Sequence, residues 1–239
     1  AAEGGQTLHL LGRDCREDLA QALELAPDDP WINNLHGQVL LGDGRAEEAI
    51  AAFRTALREL PGEPDVPANL AEALARGGSA AEARKVLDEA LERHPGHARL
   101  LNQRGNLAAA DRNFAAARAD YERALAADPT NAEIARNLAA VCIETDMILR
   151  AEELLGWLAE ESPAADVYNL NAHLALVQGQ RRRAEASLRA GLELEPRNPD
   201  LRVNLARLHL EEGDVDRARA EVQEVLAEAP GNERASRLR

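Results

Sequence analysis

Apolar residues recur along this chain on the three- and four-residue beat of an amphipathic helix, and each helical stretch is closed by proline: Pro27, Pro61, Pro95, Pro129, Pro163, Pro196 and Pro230. These prolines are separated by 34, 34, 34, 34, 33 and 34 residues. A period of that size marks a supersecondary unit repeated in tandem. Within a period the apolar pattern breaks once more, at LGDGR (41–45), RGGS (76–79), QGQ (178–180) and EEGD (211–214), which are turn signals and not linkers. Each unit is thus predicted to be a pair of antiparallel helices too small to bury its apolar face without neighbours.

Counted so that its proline is the thirty-second residue, the pattern gives six units across 30–230: 30–63, 64–97, 98–131, 132–164, 165–198 and 199–232. The eighth position reads Gly37, Ala71, Gly105, Ala139, Ala172, Ala206, and the twentieth reads Ala49, Ala83, Ala117, Ala151, Ala184, Ala218. The twenty-fourth reads Phe53, Leu87, Tyr121, Leu155, Leu188, Val222, one turn further along the second helix. Small residues fall where two helices must touch, and large ones fill the space beside them. Residues 1–29 form an N-terminal segment and partial repeat, with a second helix near 14–26 and Cys15 in the alanine column. Residues 231–239 begin another first helix. The broken terminal units are expected to be either frayed caps or, as the missing initiator Met favours, the ends of a piece cut from a longer protein.

These columns resemble the tetratricopeptide repeat family, whose W-x2-L-G-x2-Y, A-x3-F and P pattern is matched over roughly residues 13 to 232, with few aromatics. The resemblance implies an all-α fold, a right-handed α-solenoid of antiparallel helix pairs forming the family's superhelix. It also implies a binding scaffold and not an enzyme. Leu158, Gly191 and Val225 depart from the alanine seen at Ala56, Ala90 and Ala124, and one residue is missing near Pro163.

In this family the first helices line a concave groove, and positions two, five, six, nine, twelve and thirteen are expected to face it. Position six carries Asn69, Asn137 and Asn204 in alternate units, and position five carries Asn34, Asn102 and Asn169 in the others. Asparagine is a poor interior helix former, so its recurrence calls for a reason. An amide offers donors and an acceptor, which suits gripping an extended peptide backbone, and the resemblance implies that role at position six. The alternatives are that the amides bond the neighbouring repeat or reflect an ancestral two-repeat duplication. Apolar groove stretches are expected at Trp31, Leu35 and Leu41 and at Leu170, Leu176 and Val177, with LHLL (8–11) as a competing cover for Trp31.

Composition narrows the partners. The net charge is −14, with a single lysine, Lys85, among the bases. A balance this acidic opposes nucleic acid or an anionic membrane as the main partner. Arg181, Arg182 and Arg183 read as a solvated helix start. No apolar run reaches the length of a membrane span. The two cysteines, Cys15 and Cys142, sit in core columns far apart and read as buried thiols, leaving the compartment open between cytoplasm and periplasm. No metal or cofactor is expected: the six histidines fall at unrelated positions, His94 and His97 at one turn lack further ligands, and phosphate loops and zinc-type cysteine pairs are missing.

The leading reading is therefore a non-catalytic scaffold for a protein or peptide ligand held in the groove. A second is self-association into a homo-oligomer, through the ends or through Trp157. A third is the adaptor region of a larger enzyme. Groove charges Asp65, Glu72, Glu133, Glu144, Asp166, Asp200 and Glu211 against Arg76, Arg99, Arg136 and Arg207 favour a ligand with apolar side chains and some Arg or Lys.

Overall fold

The computed structural model describes residues 13–238, with side chains from Arg16 onward; the LHLL segment and the side chain of Cys15 lie outside these. The described chain holds fourteen helices and no strand. In order they are α1 (Arg13–Leu25), α2 (Pro30–Gly42), α3 (Ala46–Glu59), α4 (Asp65–Arg76), α5 (Ala80–Arg93), α6 (Ala98–Ala110), α7 (Phe114–Ala127), α8 (Ala132–Glu144), α9 (Ile148–Glu161), α10 (Ala165–Val177), α11 (Arg181–Leu194), α12 (Pro199–Glu212), α13 (Val215–Glu228) and α14 (Glu233–Ser236). This is an all-α solenoid of helix pairs.

Local chemistry sets the helix ends. Asp29 accepts from the N–H groups of Trp31 and Ile32 at 2.9 Å ahead of Pro30, and Asn198 does the same ahead of Pro199 at 3.1 Å. Asn131 and Asn232 cap α8 and α14. At the C-terminus of each first helix one residue takes a left-handed φ: Gly44, Gly78, Arg112, Asp146, Gly179 and Gly213, always the fifteenth of its unit. The next N–H then reaches back to the eleventh carbonyl, as in Ser79 to Leu74 and Gln180 to Ala175, both at 2.7 Å. That bond satisfies an orphan carbonyl and folds the chain directly into the second helix. Four glycines meet the left-handed requirement without a Cβ penalty, while Arg112 and Asp146 bear it at about 1 kcal/mol each.

The core follows the columns. The twentieth-position alanines are at most 1% exposed and the twenty-fourth-position side chains at most 2%. Positions eight and twenty-four compensate each other in volume. A Cβ on Gly37 would lie 2.6 Å from the Phe53 ring, and one on Gly105 would lie 2.6 Å from that of Tyr121. Where position twenty-four is Leu or Val, position eight keeps the methyl of Ala71, Ala139, Ala172 or Ala206. Gly191 repeats the device between repeats, where a Cβ would meet Leu201 at 2.7 Å.

Contacts gather into two compact units, one up to Pro129 and one from Thr130 onward. In each, a second helix packs on its own first helix and on the next one, as α3 does on α4 and α11 does on α12. First helices also touch directly, α2 with α4, α4 with α6 and, in the later unit, α8 with α10. Trp157, on the second helix α9, is half-buried.

The volume pairing makes a direct prediction. Gly37→Ala should lower stability by roughly 1–3 kcal/mol through overpacking, and Phe53→Leu in the same chain should recover most of it. Thermal melts of the two single variants and the double variant measure this coupling; additive losses would show that the two side chains do not share one space.

Candidate functional site: the face of the first helices

On the first-helix face, one arrangement of four side chains occurs twice. In the earlier unit Asn69 on α4 donates from Nδ2 to Asn34 Oδ1 on α2 at 2.9 Å, while its own Oδ1 accepts from Arg99 on α6 at 2.6 Å. Arg99 also approaches Asp65 at 3.3 Å and Glu72 at 3.7 Å. In the later unit Asn204 on α12 donates to Asn169 on α10 at 2.6 Å and accepts from Arg234 on α14 at 3.2 Å, with Arg234 also bonded to Asp200. Positions five, six, two and two of three successive repeats are used both times.

The position-six amides of Asn69 and Asn204 are thus occupied by neighbouring repeats. Asn69 is 2% exposed. Of the explanations open at the level of sequence, bonding between repeats holds for the pairs Asn34–Asn69 and Asn169–Asn204. Asn34, Asn169 and Asn204 are half-buried, and Asn102 is buried. Asn102 and Asn137 both have partners, and the position that would hold the arginine of a third arrangement is Asp166. Asp166 instead takes Arg136 at 3.2 Å. The signal for the relay was present in the sequence as arginine at position two, one unit after an asparagine at position six. Arg234, in the short C-terminal helix, carries it as plainly as Arg99.

Charge on this face is mostly neutralised in place. Arg76 pairs with Glu72 at 2.6 Å and reaches the Leu41 carbonyl at 3.4 Å, and Arg181 stands 3.8 Å from Glu211. Arg207 is exposed. Such exposed pairs contribute about 0–1 kcal/mol each, so their main effect is on the potential of the face. Its apolar surface is at Trp31 (56% exposed) and Leu35 (41%) on α2, and at Leu176 (39%) and Val177 (49%) on α10. Leu41, expected in the groove, is buried, and Leu170 is half-buried.

Elsewhere the polar groups serve the fold. Arg104 forks onto Asp120 with two bonds of 2.7 Å and holds Asp88 at 2.8 Å, and its hydrogen bonding to the Asp120 carboxylate foremost raises the arginine's pKa. His97 caps α6 by accepting from Leu100 N–H at 3.5 Å, and burial foremost pushes its pKa down. Cys142 is fully buried. Among the described residues no group of three or more His, Cys, Asp or Glu could hold a metal ion, and no helix is long and apolar enough to cross a membrane.

Models of the tetratricopeptide repeat match residues 13–64, 40–107, 108–174 and 175–239. The chain is 30% identical over 212 residues to a TPR repeat-containing protein of Treponema pallidum (strain Nichols), which covers 86% of this chain and 26% of that protein. It therefore spans about a quarter of the relative's length. Among solved structures it resembles a chain of the APC/C hetero-tetramer Cut9-Hcn1, with a TM-score of 0.79 at 16% identity over 95% of this chain and 45% of that one. It also resembles PilW, a widely conserved type IV pilus biogenesis factor, with a TM-score of 0.77 at 19% identity over 87% of this chain and 97% of that one. The two structural likenesses establish the fold alone. The chain belongs to the tetratricopeptide repeat family.

Because Asn204 joins α10 to α14, its loss should be felt in folding and not only in binding. Asn204→Ala gains helix propensity yet breaks two hydrogen bonds, so a net loss of about 0.5–2 kcal/mol is expected in a denaturant melt. An unchanged midpoint would mean that these bonds contribute nothing between repeats.

Proposed function

We propose that this chain is a non-catalytic protein-interaction scaffold whose later unit receives an extended peptide along the face of α10 and α12. The observation that carries the reading is the pair Leu176 and Val177, which stand 39% and 49% exposed at the end of α10. Apolar side chains of a partner gain by covering them, at about 25 cal/mol per Å² of apolar surface removed from water. Asp166 and Asp200 stay more than half exposed in spite of their arginine partners. With a net charge of −14, they favour basic residues flanking the apolar ones and steer such a ligand to the face. The family supports a scaffold role in general, and the structural neighbour Cut9-Hcn1 is itself a hetero-tetramer. On α2, Trp31 and Leu35 offer a second apolar patch of the same kind.

The test uses a random 12-residue peptide library displayed on phage and panned against the whole chain, followed by titration of the selected peptide. Leu176→Asp and Val177→Asp should each weaken that peptide about tenfold or more with little change in melting. Amide-proton shifts on peptide addition should concentrate on α10 and α12. Selected peptides that ignore both variants and perturb only the second helices would place the interaction surface elsewhere.

A further inference from the structure

The orientation of the amides on the first-helix face is not free, because each relay begins at an arginine. A guanidinium has donors only. Arg234 therefore fixes Oδ1 of Asn204 toward itself, which leaves Nδ2 of Asn204 to face α10. A donor arriving there requires an acceptor, so Oδ1 of Asn169 must take it, and Nδ2 of Asn169 is left as the outward end. Arg99, Asn69 and Asn34 repeat the sequence of constraints atom for atom. Among the described residues Nδ2 of Asn34 and Nδ2 of Asn169 donate to nothing, and both side chains keep part of their surface in solvent.

We infer that Asn169 and Asn34 are the peptide-contacting amides of this face, each presenting a pre-oriented pair of N–H donors to main-chain carbonyl oxygens of an extended ligand, while Asn204 with Arg234 and Asn69 with Arg99 are positioning residues. The inference rests on the peptide reading of the face proposed above and assigns its polar chemistry. It divides the work within the two relays: Asn69 and Asn204 at position six are spent between repeats, and Asn34 and Asn169 at position five meet the partner. Donors locked by a chain of hydrogen bonds that starts on a cation are polarised along it and lose little freedom when a ligand arrives. An outward end made of donors alone selects acceptors, which every residue of a peptide offers whatever its side chain. Apolar residues lie on the same helices as the donor ends: Asn34 follows Trp31 by three positions, and Asn169 precedes Leu176 by seven, two helical turns along α10.

The experiment is run on Asn169 with the selected 12-residue peptide as probe. Asn169→Asp keeps an oxygen for Nδ2 of Asn204 but turns the outward pair of donors into an acceptor. The peptide dissociation constant should rise about three- to tenfold. The rise should persist at high salt, where an added charge is screened, and the melting temperature should stay at the parental value. Asn169→Ala should give a similar loss of affinity with a lower melting temperature. As a readout of positioning, Arg234→Met, which frees Asn204 to flip, should weaken the peptide about two- to threefold. Arg234→Lys, which still presents donors only, should restore it. If Leu176→Asp abolishes binding while Asn169→Asp binds like the parent, the donor assignment is overturned and the peptide reading survives. If the peptide is indifferent to Leu176→Asp and Asn169→Asp alike, both are overturned together.

Discussion

Everything in this chain depends on how closely two helices of one repeat can approach. The contact at positions eight, twenty and twenty-four allows a fixed volume and no more: glycine faces Phe53 and Tyr121, while alanine faces leucine or valine. With so few aromatics, burial comes from many small, close contacts and not from a few large side chains. Such a pair has no interior of its own. It must offer one face to the next repeat, and the regular turn after each first helix ensures that the next helix is aimed to receive it.

Functional surface is what remains once that stacking is complete. First helices touch directly within each compact unit, so their shared face carries side chains long enough to reach across, and asparagine with arginine does so twice in the same way. A buried amide is tolerated in a helix when both its ends are bonded, and Asn69 meets that condition. The bond between repeats therefore supplies the reason for the poor helix former, and it also decides which end of each relay is presented outward.

The fold was legible in the sequence because its determinants are periodic and local. Proline, glycine and alanine each mark a fixed point of the unit, and the structure puts turns and tight contacts at those points. The face of the first helices was legible as a face but not in its partnerships. Position along a helix says that Asn69 points toward the groove side; whether its amide ends in solvent or on α2 depends on the spacing of helices, which no local pattern carries. Leu41 shows the same gap, since it lies where the next repeat's Arg76 reaches over its carbonyl. The division into two compact units at Pro129 and Thr130 left no trace in a period that runs through it unchanged.

The central claim, that the amides of Asn69 and Asn204 are held between repeats while those of Asn34 and Asn169 keep their donors outward, is read most directly from the side-chain N–H2 resonances of these asparagines. In uniformly 15N-labelled protein without ligand, the Nδ2 protons of Asn69 should exchange with water far more slowly than those of Asn34, and those of Asn204 more slowly than those of Asn169. Equal rates within each pair, or slower exchange at Asn34 and Asn169, would contradict the account.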